Sequence, residues 1–359
     1  MRTLKCTMLV TLLLLVAMPL IAHAWIRSPA TTFATLPAGT SHPEGITVDR
    51  HTDDVYVADF EPGGTAGHVV VFSANGQLLR TLTLTTPTNP QPSSFLLGLD
   101  FHPTTGAFLV IDFGQARVLK VDRFTGASTV FMTVTGTGSG LNALTFDTAG
   151  NVYVSDSFRG IIWRTGPAGG VATAWKTDPL LTTSGVPPFG ANGLAFNNAR
   201  TALFVANTGD DTIVKIDVTG GTSTNPSAGA ATVFVNSVNG ADGLLIDEED
   251  RIWVCANQAD EIVVLDPTNG RVIAKLGDFN GVGSDGGPNG LLFPASLVFH
   301  GNFLLVTNLS LDLGAALSDP SKRTIDSPWA AQVTTHTVSK ISRHLPPVQG
   351  ARPGPALTT

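Results

Sequence analysis

The sequence predicts an all-β protein, a six-bladed β-propeller with four antiparallel strands per blade. Three observations carry that prediction: a repeat of about fifty residues, four short apolar runs inside each repeat, and an N-terminal strand that completes the last one. Six segments open the repeats. They are HPEGITVDRHTDDVYVADF (42–60), SSFLLGLDFHPTTGAFLVIDF (93–113), LNALTFDTAGNVYVSD (141–156), ANGLAFNNARTALFVAN (191–207), ADGLLIDEEDRIWVCAN (241–257) and PASLVFHGNFLLVTN (294–308). Their register positions, Gly45, Gly98, Ala143, Gly193, Gly243 and Ser296, are 53, 45, 50, 50 and 53 residues apart.

Each segment reads as two strands around a turn, followed by a third run such as HVVVFSANG or EIVVLDPTNG. A fourth run, such as STVFMTV or ATVFVNS, closes the first five repeats. The sixth lacks a fourth run at the C-terminus, where the chain ends in PPVQGARPGPALTT. TTFATLP (31–37) has the missing pattern, so the N-terminal strand is expected to complete blade six and leave no open sheet edge. This predicts one propeller over 28–344 and a Pro-rich flexible tail over 345–359. Helical periodicity is not sustained anywhere, and 43% hydrophobic with 14% charged residues suits a β protein.

The first 24 residues read as a signal peptide. Arg2 and Lys5 precede an apolar run from Met8 to Ile21, and Ala22-His23-Ala24 is a small-x-small cleavage site. Export, to a periplasm or as a secreted protein, is therefore expected, with no membrane span. The mature chain carries a net charge of about −9, which argues against nucleic acid as a partner. The protein is expected to be a monomer. Cys255 is the lone cysteine of the mature chain, and the apolar run IWVCAN predicts a buried, unreactive thiol.

In a propeller the first strand of each blade lines the axis. The residue before each register position is Glu44, Leu97, Asn142, Asn192, Asp242 or Ala295. Two carboxylates and two amides thus converge on one mouth of the channel. Carboxylates ~4 Å apart repel by about 4 kcal/mol at an effective dielectric of 20, so a shared cation or a proton is required. All-oxygen donors favour Ca²⁺, with Mg²⁺ or Mn²⁺ as alternatives, and disfavour zinc. The competing reading takes Asn192-Gly193 and Asp242-Gly243 as turn dipeptides leading into the strands, but it leaves Glu44 and Asn142 unexplained. A second ring, Asp59, Asp112, Asp156, Asn207, Asn257 and Asn308, ends every second strand. Sixfold repetition marks it as architecture, with side chains bonding nearby backbone.

With PEGITVD around Glu44, LNALTFD around Asn142, ANGLAFN around Asn192 and ADGLLID around Asp242, the chain resembles the senescence-marker-protein/gluconolactonase/LRE-like family of six-bladed propellers, relatives of paraoxonase and diisopropylfluorophosphatase. The resemblance spans about residues 33 to 343. It implies that Glu44, Asn142, Asn192 and Asp242 bind a divalent ion, Ca²⁺ first, and that Asp242 is catalytic. Gluconolactonases usually carry an Arg and an Asn-Asp pair at the third blade. Here Gly140-Leu141-Asn142-Ala143 has neither the Arg nor the Asp, so a sugar lactone is not the expected substrate.

The expected function is a divalent-metal-dependent hydrolase of small-molecule lactones or esters, with the ion as Lewis acid and Asp242 as base or nucleophile. The longest loop, 309–334, is expected to overhang the metal mouth as a lid. Trp329 within it, Phe189 and Phe293 are candidate substrate contacts, and His42, two residues before Glu44, is a candidate acid or base. The alternative is a non-catalytic propeller of NHL-like repeats that binds a protein or glycan.

Overall fold

A computed structural model describes residues 28–345, so the signal segment and the tail from 346 onward lie outside the described residues. Six antiparallel sheets are arranged around an axis as the blades of a propeller. Their inner strands are Pro43–Val48, Leu96–Phe101, Leu141–Phe146, Ala191–Phe196, Ala241–Ile246 and Pro294–His300, at the positions the repeat assigns. Each is followed outward by its next strands in chain order. Blade two carries one extra short strand, Gly170–Val171, parallel to its outer edge.

The second strands explain why their sequences are continuously apolar instead of alternating. Val55–Asp59, Phe108–Asp112, Val152–Asp156 and Ile252–Ala256 are buried at every position. Each packs against the neighbouring blade on both faces, so no face is left for polar side chains. Outer strands such as Leu78–Thr83 are largely exposed. One apolar cluster fills each of the six junctions between blades. Tyr56, Val71, Leu96 and Val110 join blades one and two, and Trp253, Leu297 and Leu304 join five and six.

The ring closes as the sequence implies. Thr31–Thr35 pairs antiparallel with Thr337–Ser342, the third strand of blade six, with Thr31 opposite Lys340 and Thr35 opposite Thr337. Ala34 then packs with Leu305 and Val338 of blade six and Val57 of blade one. Leu36 N donates to His336 O at 2.9 Å just beyond the strand. Closure is therefore hydrogen-bonded along one sheet and apolar against the next.

The inner strands share one irregularity. All six carry a β-bulge at the same place, between Pro43 and Ile46, Leu96 and Leu99, Leu141 and Leu144, Ala191 and Leu194, Ala241 and Leu244, and Pro294 and Leu297. Each bulge holds one predicted axial residue and the register residue after it. The glycines there are set by close approach. A Cβ on Gly45 would stand 2.2 Å from Leu97 O, one on Gly193 2.4 Å from Asp242 O, and one on Gly243 2.5 Å from Ala295 O. Asn192-Gly193 and Asp242-Gly243 therefore lie inside strands, and the turn-dipeptide reading of them is corrected. Glycine is present because the neighbouring inner strand leaves no room for a side chain.

Because closure buries Ala34, Ala34→Asp should lower stability by about 3 kcal/mol in urea unfolding, whereas Thr32→Asp on the exposed face of the same strand should change it by less than about 0.5 kcal/mol.

Candidate functional site

The bulges deliver the axial residues to one place. Glu44, Asn142, Asn192 and Asp242 are each 5% exposed, and Leu97 and Ala295 complete the ring as apolar members. Glu44, Asn142 and Asp242 line a cavity together with Leu97, Thr208 and Asn257. Asn192 stands beside them, its Nδ2 donating to Thr208 Oγ1 at 3.0 Å.

Asp242 is held from one side only. Asn257 Nδ2 donates to its Oδ2 at 2.9 Å, and Asn192 also hydrogen-bonds the carboxylate. Its Oδ1 is buried with no partner, as are Glu44 Oε2 and Asn257 Oδ1. Seven buried side-chain polar atoms lack a partner among the described residues, and three of the seven are these oxygens. Buried oxygens of this kind call for a donor or a cation. Burial pushes the Glu44 carboxyl well above its usual range, and the neighbouring Asp242 charge pushes it further. Burial raises Asp242 to about 7, against hydrogen bonds from Asn257, Asn192 and the Gly243 backbone that oppose the rise. A divalent ion would neutralise both carboxylates and take up the orphaned oxygens, so this donor set fits a hard cation.

Asn257 is the residue the sequence reading misplaced. It belongs to the ring that ends the second strands, and most of that ring is architectural. Asp156 accepts from Gly140 N at 3.0 Å and Trp163 Nε1 at 2.9 Å, while Asn207 donates to Leu180 O and Thr182 O at 2.9 Å each. Asn308 accepts from Leu292 N at 3.1 Å. Asn257 instead turns to Asp242. Two residues before it, Cys255 is fully buried, and burial with the charges of Asp242 and Glu44 pushes its thiol well up, which makes it an inert core residue.

The wall of the cavity is apolar: Phe60, Phe113, Phe189 and Phe293, with Leu309, Leu311 and Leu313 from the long insertion. Phe189 and Phe293 therefore stand where the sequence reading put them. The insertion does reach over the mouth, but through its leucines. Trp329 is 44% exposed and packs edge-on to Phe279 at 5.5 Å, outside the residues that line the cavity. His42 is also outside that lining. Its backbone is left-handed at φ 47°, and its Nδ1 lies 2.9 Å from Leu309 O, so it fastens the start of the insertion. His336 packs edge-on behind it at 4.3 Å. Burial lowers His42 below its usual value, and burial together with His42 lowers His336 to about 3.

A second carboxylate–imidazole group lies at blade one, where ligand atoms of Asp59, Glu61 and His68 fall within 4.8 Å of one another. Asp59 already accepts from His68 N at 2.8 Å and pairs with His68 Nδ1 at 3.1 Å. That internal pairing satisfies the buried Asp59 without an ion.

Residues 101–277 match the family model described as SMP-30/Gluconolactonase/LRE-like region. No curated protein sequence matches the chain. Among solved structures, a luciferin-regenerating enzyme is similar with a TM-score of 0.61 at 16% identity, over 86% of this chain and 94% of that one. A calcium-binding protein, regucalcin, from Agrobacterium tumefaciens follows with a TM-score of 0.56 at 17% identity, over 89% and 99%. A gluconolactonase from Xanthomonas campestris has a TM-score of 0.55 at 13% identity, over 79% and 94%. At these identities the likeness is one of fold.

The buried carboxylates make stability depend on pH. Each favours the protonated form in the folded state, so its contribution is fully present below the ordinary carboxylate range and is lost as pH rises, for Asp242 through about 7. In chelator, stability should therefore fall between pH 4 and pH 7.5, and Asp242→Asn should flatten part of the slope. The difference between wild type and variant in urea unfolding isolates Asp242 from Asp260 and Asp326, which burial also raises, to about 8 and about 7.

Proposed function

With residues 101–277 forming an SMP-30/gluconolactonase/LRE-like region, we propose that the protein is an exported, divalent-cation-dependent hydrolase of small-molecule lactones or esters. The observation that carries the proposal is the pair of orphaned carboxylate oxygens, Glu44 Oε2 and Asp242 Oδ1, at the floor of an apolar axial cavity. Glu44, Asn142, Asn192 and Asp242 would hold the cation. Oxygen-only donors favour Ca²⁺, with Mg²⁺ or Mn²⁺ as the alternatives. Bound there, the cation supplies Lewis-acid polarisation of an acyl oxygen.

The chain's own residues supply the rest. Asn257 fixes Asp242 through Oδ2, which leaves Oδ1 without a hydrogen-bond partner. Asp242 Oδ1 takes a proton from the attacking water as its oxygen bonds to the acyl carbon. The acyl carbon–oxygen bond then breaks, and the proton passes to the departing alkoxide. One water is consumed, and a hydroxy acid, or an acid and an alcohol, is released. The apolar wall excludes bulk water from this exchange, which strengthens every electrostatic contact inside. The carboxylates' raised proton affinity in the cation-free cavity means that a cation competes with protons for the same oxygens, so cation binding should release protons.

Asp242→Ala should lower kcat/KM on lactones and aryl esters by on the order of 10²–10⁴-fold. Unchanged turnover would sink the assignment of Asp242. Saturating Ca²⁺ after chelation should raise the melting temperature by about 5 °C or more, as about 2.7 kcal/mol of linkage at one hundred times Kd implies. A protein whose melting ignores both chelator and Ca²⁺, Mg²⁺ and Mn²⁺ is a non-catalytic scaffold instead.

A further inference from the structure

The lining of the axial cavity divides sharply by chemistry. Its floor carries the carboxylates of Glu44 and Asp242 with the amides of Asn142 and Asn257. Apart from Thr208, the rest of the lining is apolar. None of the described lining residues is Lys, Arg or His. A divalent cation would bring the floor to about zero net charge, which leaves no positive group to pair with a carboxylate or phosphate on a substrate. Of the amides at the floor, Asn257 is committed to Asp242 and Asn192 to Thr208.

The wall is a built surface. Phe113 lies 6.2 Å from Phe60 and 6.4 Å from Phe189, and Phe189 stacks on Phe158 at 5.7 Å. Phe158 is 48% exposed, so the aromatic surface runs from the cavity out to the rim. Leu309 and Leu311 follow the second strand of blade six, Leu313 opens a short helix, and all three share one apolar cluster with Phe293. Ser310, between two of them, turns away at φ 47° and donates to Leu292 O at 3.2 Å. Leu309 N is in turn tied to Phe293 O at 3.1 Å. These bonds hold the leucines inward, so the insertion presents a fixed apolar face to whatever lies over the floor.

We propose that the substrate is an uncharged lactone or ester with a hydrophobic alkyl or aryl body. This rests on the hydrolase reading and narrows it. The acyl group meets the floor, and the body lies between the phenylalanines and the insertion leucines. A polyhydroxylated lactone would bury hydroxyls against hydrocarbon with no partners, and an anionic one would find no counter-charge.

The test compares kcat/KM, in Ca²⁺, for an alkyl-substituted δ-lactone, dihydrocoumarin and glucono-δ-lactone. The apolar lactones should be preferred by about tenfold or more. Phe189→Ala and Leu311→Ala should each reduce that preference several-fold, chiefly through KM, with near-normal melting showing that the fold is intact. Equal or better turnover of glucono-δ-lactone, lost on Asp242→Ala, overturns this inference and leaves the hydrolase reading standing. A preference that both wall variants leave untouched also overturns it. Absence of turnover on all three lactones overturns the hydrolase reading and this inference with it.

Discussion

Everything at the axis depends on how closely the inner strands approach one another. At Gly45, Gly193 and Gly243 the neighbouring backbone carbonyl lies where a side chain would begin, and the strand bulges at the same residues. A bulge releases its residue from ladder pairing and increases local twist. Six bulges in register turn six side chains toward one point. Four of those are oxygen donors, two of them carboxylates that burial makes costly to charge.

Such a site is destabilising unless something offsets it. Six apolar junctions between blades and a hydrogen-bonded closing strand supply a scaffold that can hold two facing carboxylates out of water. The scaffold is repetitive and the site is not. Leu97 and Ala295 occupy the same ring as Glu44 and Asp242, on the blades either side of Glu44. Function enters where the repeat is broken. Asn257 illustrates this: its place in the second ring is architectural in other blades, but at blade five it faces a carboxylate and steers it.

The long insertion is a second break in the repeat. Its exposed end carries Trp329 and Ile325, whereas its root carries the leucines that roof the cavity. His42 and Ser310 fasten that root to blade one and to the loop entering blade six. Two residues expected at the mouth for their chemistry thus divide into different tasks. His42 positions the roof, and Trp329 packs on Phe279 outside the cavity lining.

The blades, their order, the closing strand and the axial set Glu44, Asn142, Asn192 and Asp242 were legible in the sequence, because a fifty-residue period constrains every copy and strand alternation follows from burial. The glycines after the axial residues were visible but their cause was not, since turn propensity and close backbone approach select the same residue. The direction of Asn257, the retreat of Trp329 and the inward leucines were decided only by tertiary structure. Repetition carries no information about a side chain that departs from its ring, and a loop of this length is placed by the contacts it finds rather than by local preference.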